Sequence, residues 1–156
     1  MIGYGSEVIV DRPHAEVAAY IMDPSTHREW MSDVAGLEVL TPGAVGVGSR
    51  YRYLIKKGPM ALNLTTRVAA LSDRSVEYQT EPGGPLDWQA RISFEPIDPT
   101  HTRVTSTGTM TMRGLRRLLE PLMAGEVRSG EAAELTALKG LLEAHSPARH
   151  ATKVGA

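Results

Sequence analysis

The 156-residue sequence contains no cysteine. This absence excludes disulfide bonds, thiolate metal ligands and cysteine nucleophiles together, and it agrees with a reducing compartment. The 17 basic and 18 acidic residues give a formal net charge of −1, which gives no indication of a nucleic-acid or anionic-membrane partner. Aromatic residues make up only 5% of the chain, but seven methionines are present. Thioether side chains are therefore available as adaptable apolar filler.

Long apolar runs are also missing from the sequence. No window approaches the roughly 20 apolar residues that span a bilayer, and the first residues lack the pattern of a secretory signal. We therefore expect a cytoplasmic protein without a membrane span. A chain of this length predicts one domain, which can bury about 70% of its unfolded surface without a disulfide or a metal. We place this single domain at residues 1–145, followed by a disordered tail at 146–156, where the composition is small and polar.

The order of hydrophobic patterns predicts an α+β fold. A β-branched run at 6–11 is followed by two short helices, the second of which ends near Trp30. After Met31 the period changes to two residues, and six strands separated by turn residues follow. A long helix then extends from about 114 to 144. These elements predict a seven-stranded, curled antiparallel sheet wrapped around the long C-terminal helix.

The strand residues predicted to face inward form an uneven mixture of sizes. Large side chains such as Trp88 and Met110 alternate along the strands with small or mildly polar ones such as Thr66 and Gly108. Uneven sizes together with phenol groups are typical of a ligand cavity, which a larger side chain at Gly108 would fill. From periodicity alone, an ordinary core filled by tyrosine and methionine is the more common explanation.

The long helix carries two leucine-rich stripes, at 115–123 and at 135–142, with a polar interval between them. The intervening positions that continue the stripe are Glu126, Val127, Ser129, Gly130 and Ala133. We expect both ends of the helix to pack on the core and its middle to face a cavity. The alternative is that the polar positions face solvent and the glycine marks a kink. Pro121 either bends the helix or marks its start.

Residues with catalytic chemistry form no recognisable motif. The five histidines lack metal-binding spacing, and four of them lie near turns, helix starts or the tail, which favours surface positions. No nucleophile elbow occurs, and the glycines at 43–48 precede a strand rather than a helix. Glu131 and Glu134 share a helical face, where we expect solvated carboxylates rather than a catalytic pair. The sequence therefore predicts no metal and no cofactor, and it identifies no catalytic residue.

Several segments, in this order along the chain, resemble a known superfamily. They are PHAEVAAYIMDPSTHREWM, GVGSRYR, FEPIDPTHTRVT and RGLRRLLEPLM followed by LKGLLE. Together they resemble the START-related ligand-binding superfamily (SRPBCC), and within it the polyketide cyclase/dehydrase-like branch, over about residues 5–145. The resemblance implies a helix-grip fold around a deep apolar cavity. It does not imply one activity, because the superfamily includes lipid and hormone binders, aromatase/cyclases and chaperone activators.

We therefore expect a hydrophobic small molecule, which is lipid-, polyketide- or aromatic-like, to bind between the sheet and the C-terminal helix. The residues expected to contact it are Tyr51, Tyr53, Leu62, Leu64, Tyr78, Trp88, Met110, Met112, Met123 and Glu126.

Two alternatives remain open at this point. The first is an enzyme of the polyketide cyclase or dehydratase type, in which a tyrosine or Glu126 transfers a proton. Such relatives often place Arg, His or Tyr inside the cavity, and no inward Arg or His is evident in this sequence. The second is a protein-interaction module of the chaperone-activator type. A titratable group with a shifted pKa beside the pocket would favour the enzyme, whereas a collapsed cavity with an exposed apolar patch would favour the module.

Overall fold

The computed structural model describes residues 1–144 and confirms the predicted helix-grip architecture. Seven strands form one antiparallel sheet: β1 (Ile2–Val10), β2 (Val34–Val39), β3 (Arg50–Lys57), β4 (Met60–Leu71), β5 (Ser75–Thr80), β6 (Leu86–Asp98) and β7 (His101–Met112). The helices are α1 (His14–Met22), α2 (His27–Trp30) and α3 (Glu120–Ala144), with 3₁₀ turns at Pro24–Thr26 and Gly114–Leu119. The tail expected at 146–156 lies outside the described residues.

Strands β2 to β7 form a meander, and the first strand, β1, is added at the edge formed by β7. Strands β2 to β7 pair in chain order, and β1 pairs with β7, so that the order is β1-β7-β6-β5-β4-β3-β2. The chain must therefore cross from one edge of the sheet to the other between β1 and β2. The short helices make this crossing, because α1 contacts β6 and β7 whereas α2 contacts β2 and α3.

The alternation predicted for the strands is confirmed. Tyr51 and Tyr53 of β3 are buried, as are Ala90, Ile92 and Phe94 of β6, while the residues between them are partly or fully exposed. A period of two residues places every second side chain on the same face of a strand. The inner face of the sheet therefore forms the main core, together with α1, α2 and part of α3.

The packing of the last helix differs from the prediction at its N-terminal end. Only the second stripe packs on the core, where Leu135, Leu138 and Leu142 are nearly inaccessible to solvent. The leucines of the first stripe are exposed to solvent: Leu115 is 86% accessible and Leu122 is 80% accessible. The prediction assumes α-helical spacing for the first stripe, but residues 114–119 form a 3₁₀ helix, in which side chains repeat every three residues.

The α-helix itself begins at Glu120, and Pro121 lies in its first turn, where a missing N–H costs little. The proline thus marks the start of α3. Gly114 adopts a positive φ of 64°, which allows the chain to turn sharply out of β7. The Glu120 carboxylate accepts a hydrogen bond of 2.7 Å from the backbone N–H of Met112 and fastens the start of α3 to the end of the sheet.

Candidate functional site

An apolar cavity with a volume of about 130 Å³ lies between the sheet and the N-terminal half of α3. Inward-facing residues of β3, β4, β6 and β7 form the sheet side, and residues 123–134 of α3 form the helix side. Five methionines border the cavity: Met31, Met60, Met110, Met112 and Met123. Engineered apolar cavities of about 150 Å³ bind benzene, so this space is large enough for about one ring.

Eight of the ten residues predicted to contact a ligand border this cavity. They are Tyr53, Leu62, Leu64, Trp88, Met110, Met112, Met123 and Glu126. Tyr51 and Tyr78 do not border it and are buried behind its wall. The ring of Tyr51 lies 6.4 Å from that of Tyr53, and the ring of Tyr78 stacks at 6.3 Å on that of Trp88. The two outer tyrosines therefore support residues that face the cavity, and a ligand contact by any of the ten stays a prediction.

The prediction that a larger side chain at Gly108 would fill the cavity is wrong. Gly108 pairs with Tyr4 of β1, and a Cβ atom at this position would lie 2.4 Å from the Tyr4 hydroxyl oxygen and 2.5 Å from the Gln89 carbonyl oxygen. The inner side of Gly108 is thus occupied by the tyrosine ring. The Tyr4 hydroxyl accepts a hydrogen bond of 2.9 Å from the Trp88 indole N–H, which fixes the orientation of that wall residue.

A buried histidine lies behind one wall of the cavity, contrary to the expectation that no inward histidine exists. His27 is 1% exposed; its Nε2 lies 2.9 Å from the Ile21 carbonyl oxygen and its Nδ1 lies 2.9 Å from the Tyr53 hydroxyl. A carbonyl oxygen can only accept, so Nε2 carries the proton. Burial lowers the pKa of His27 and favours the neutral ring, in which Nδ1 accepts the Tyr53 hydroxyl proton.

The hydroxyl of Thr66 is a polar group of the cavity wall without a clear partner. Thr66 is fully buried, borders the cavity and lies close to the Tyr53 hydroxyl. Within residues 1–144 its Oγ1 has no hydrogen bond of acceptable geometry. Because Tyr53 donates its proton to His27, its oxygen remains free to accept a further hydrogen bond. This end of the cavity therefore offers two hydroxyl oxygens to a bound polar group.

Two carboxyl groups of α3, Glu131 and Glu134, also border the cavity, so the prediction that they are solvated is wrong. Burial is the main cause that raises the pKa of Glu131 to about 7, and the nearby Asp33 adds to it. Burial likewise raises the pKa of Glu134 to about 9, with further contributions from the charges of Glu131 and Asp33. Lys57, which forms a 3.5 Å ion pair with Asp33, opposes both shifts.

The carboxyl pair can both donate and accept protons near neutral pH. Near pH 8 most Glu134 side chains are protonated while most Glu131 side chains are ionised. One cavity wall thus presents an acid and a base one helical turn apart. Within residues 1–144 no three His, Asp or Glu side chains come together in the manner of a metal site.

The sequence did contain a signal for these missed residues. Glu131 and Glu134 lie four residues before Leu135 and Leu138, which places them on the face of α3 that the leucines bury. His27 lies three residues before the buried Trp30 on the same short helix. Residue type favoured a solvated position in both cases, whereas spacing relative to the buried residues would have given the correct face.

The geometry can now be compared with known proteins. Residues 1–143 match the profile of a family described as polyketide cyclase/dehydrase and lipid transport. The chain belongs to this family. The assignment agrees with the predicted polyketide cyclase/dehydrase-like branch of the SRPBCC superfamily. Its description spans both catalysis and transport, so membership supports a role in ligand binding or in polyketide cyclase-type chemistry without deciding between them.

Two curated relatives from Mycobacterium tuberculosis are named uncharacterized proteins. The uncharacterized protein Rv0088 of Mycobacterium tuberculosis (strain ATCC 25618 / H37Rv) is 35% identical over 102 residues. The match covers 64% of this chain and 44% of that protein. The chain thus spans less than half the length of the curated relatives that it matches.

Solved structures share the fold of this polyketide cyclase/dehydrase family member. The ZhuI aromatase/cyclase from Streptomyces sp. R1128 has a TM-score of 0.78 at 15% identity, covering 90% of this chain and 93% of that one. A START superfamily protein from Mycobacterium smegmatis has a TM-score of 0.77 at 15% identity, covering 92% and 98%. At this level of identity the likeness concerns the fold alone.

Among residues 1–144 no helix has the length and apolar character needed to cross a bilayer. The cytoplasmic location expected from the sequence stays a prediction.

Proposed function

We propose that this protein binds a hydrophobic small molecule with at least one hydrogen-bonding group in the cavity between the sheet and α3. The observation that carries this proposal is the composition of the cavity wall. Most of its side chains are apolar, while Tyr53 and Thr66 supply hydroxyl groups and Glu131 and Glu134 supply carboxyl groups. Ligand sites in proteins combine an apolar lining with a few placed polar groups in this way.

The size of the cavity limits the class of ligand. A volume of about 130 Å³ accommodates about one aromatic ring without rearrangement. Methionine side chains adapt readily because they are unbranched and have three rotatable bonds, so the five methionines allow the space to enlarge. An aromatic- or polyketide-like molecule with a carbonyl or hydroxyl group fits this wall better than a pure hydrocarbon does.

Two glycines of α3 offer a matched pair of variants to test the proposal. Gly130 borders the cavity, and the nearest atom to an added Cβ is the flexible Lys57 Nζ at 4.0 Å. Gly140 lies on the same helix, is exposed and does not border the cavity. A phenylalanine at position 130 would occupy the cavity, whereas one at 140 would not.

The measurement is isothermal titration calorimetry with phenol, a one-ring probe that carries a hydroxyl group. Gly130→Phe should weaken probe binding on the order of tenfold or more, a loss equivalent to about 1.4 kcal/mol. Gly140→Phe should bind the probe as the unmodified protein does. Equal binding by both folded variants would place the probe outside this cavity and refute the proposal.

A second candidate function is acid–base catalysis on a polyketide-like chain in the same cavity. The observation that favours it is the protonated Glu134 beside the ionised Glu131, because a general acid and base work best with pKa values near the operating pH. The test follows cyclisation and dehydration of a linear poly-β-ketone thioester by absorbance. Glu134→Gln should abolish turnover and retain probe binding, whereas Glu95→Gln, which is exposed on β6 and does not border the cavity, should leave turnover unchanged. Equal turnover by the protein and its Glu134→Gln variant would exclude this candidate.

A further inference from the structure

An exposed apolar surface, which we call the leucine patch, lies at the junction of the 3₁₀ segment and α3. It consists of Leu115, Leu118, Leu119 and Leu122, with exposures of 86%, 77%, 48% and 80%. Isolated apolar residues on a surface are ordinary, but here four exposed leucines fall within eight consecutive positions. Nothing in residues 1–144 covers it. The patch lies outside the cavity and is not used by the proposed function.

Basic side chains accompany the leucine patch. Arg116 and Arg117 lie within the segment and form no salt bridge with any residue in the range 1–144, although the charge of Arg117 acts on the nearby Glu120 carboxylate. Arg113 precedes it and is paired with Asp87 at 2.6 Å. The single acidic residue between 113 and 122 is Glu120, which is 7% exposed and accepts a backbone hydrogen bond. The local surface is therefore apolar and positive, although the whole chain has a net charge of −1.

The combination of exposed leucines and arginines distinguishes between two kinds of binding partner for the leucine patch. A second copy of the chain, placed face to face on the patch, would bring two sets of exposed arginines together, and like charges in contact oppose association. An anionic lipid surface complements both features. Leucines enter the boundary between headgroups and acyl chains, and arginines meet lipid phosphates at the same depth.

We propose that the leucine patch docks the protein on an anionic lipid membrane. The patch lies between two residues that border the cavity, since Met112 ends β7 just before the segment and Met123 follows Leu122. Docking therefore places the helix side of the cavity at the membrane surface, where apolar molecules accumulate. The inference concerns the outer surface and stands whether or not the cavity proposal is correct.

The experiment is co-sedimentation of the full chain with two kinds of vesicle, pure phosphatidylcholine and phosphatidylcholine with phosphatidylserine. We expect binding to the anionic vesicles that weakens as salt is added, and little binding to the neutral ones. Arg116→Ser with Arg117→Ser should reduce the partition coefficient about fivefold per arginine, or roughly 30-fold for both. Leu118→Ser with Leu122→Ser should reduce it on the order of tenfold or more, since both leucines lose their apolar contact with lipid.

Matched control variants distinguish docking through the leucine patch from non-specific binding to vesicles. Ile97→Ser removes an exposed apolar residue, 45% accessible, near the end of β6, and Arg74→Ser removes an exposed arginine. Neither should change vesicle binding. Circular dichroism checks the fold of each variant, and the arginine pair keeps the test valid if the leucine variant is unfolded.

Three results would overturn the proposal. The first is equal binding to both kinds of vesicle, and the second is anionic binding that the arginine and leucine substitutions leave unchanged. The third is a dimer in light scattering that Leu118→Ser converts to a monomer, because the patch would then be occupied by a second copy of the chain.

Discussion

Replacing Glu134 by glutamine keeps the size of the side chain and removes its ability to ionise. In the folded protein, burial and the charges of Glu131 and Asp33 raise the pKa of Glu134 from 4.5 to about 9. Glu134→Gln should therefore remove a source of pH-dependent destabilisation. We expect the variant to gain stability over the unmodified protein as the pH rises.

The magnitude follows from the two pKa values. Between pH 4.5 and 9 the folded state keeps a proton that the unfolded state has released, so the free energy of unfolding falls with rising pH. The stabilisation from the neutral carboxyl group is complete below pH 4.5 and is lost as the pH passes through about 9. For one proton, the free energy of unfolding changes by at most about 1.4 kcal/mol per pH unit. Because the side chain is partly exposed, we expect about 1 kcal/mol per unit, or about 3 kcal/mol between pH 5 and pH 8.

Urea denaturation at pH 5, 6, 7 and 8 measures this difference. Titrations common to both proteins cancel when the two free energies are subtracted. Glu126→Gln removes an exposed carboxylate from the same helix and serves as the matched control for the loss of one carboxyl group from α3. If the curves of the unmodified protein and Glu134→Gln run parallel from pH 5 to pH 8, then Glu134 is solvated and the acid–base pair does not exist.

Two further predictions concern packing around the cavity. Phe94 is 1% exposed, so Phe94→Ala should lower the free energy of unfolding by roughly 3–5 kcal/mol in urea titrations. A loss below about 1 kcal/mol would contradict the assignment of Phe94 to the inner face of β6. Gly108→Ala should be destabilising by about 1–3 kcal/mol because its Cβ would collide with the Tyr4 ring, whereas Gly130→Ala, with open space around it, should be neutral or stabilising by up to about 1 kcal/mol in α3. Equal melting temperatures for the Gly108→Ala and Gly130→Ala variants would show that the Tyr4 side chain moves aside.

The fold could be predicted from the sequence because periodicity is a local property. Alternation along β3 and β6 identified the inner face, and Pro121 marked a helix boundary. Alternation does not show which inward residues border empty space, however. Tyr51 and Tyr53 point to the same side of one strand, yet only Tyr53 reaches the cavity. That difference depends on where the helices cover the sheet, which is set by contacts distant in sequence.

The polar residues of the site were missed for a different reason. Composition favours exposure for glutamate and histidine, and this average fails where neighbouring buried residues fix the face of a helix. Glu131, Glu134 and His27 are all such cases. The near-neutral net charge likewise concealed the arginines beside the leucine patch, since a sum over the chain carries no information on position.

The methionines of the cavity wall make the site sensitive to oxidants. The chain has no cysteine, so its sulfur is held in seven methionines, of which five border the cavity. Peroxide converts methionine to its sulfoxide, which is polar and chiral. Oxidation of the wall would thus replace thioethers with sulfoxide oxygens that an apolar ligand cannot satisfy. Under the proposed function, the side chains that would let the cavity adapt to a ligand are also those through which oxidative stress would lower its affinity, and methionine sulfoxide reductases could restore it.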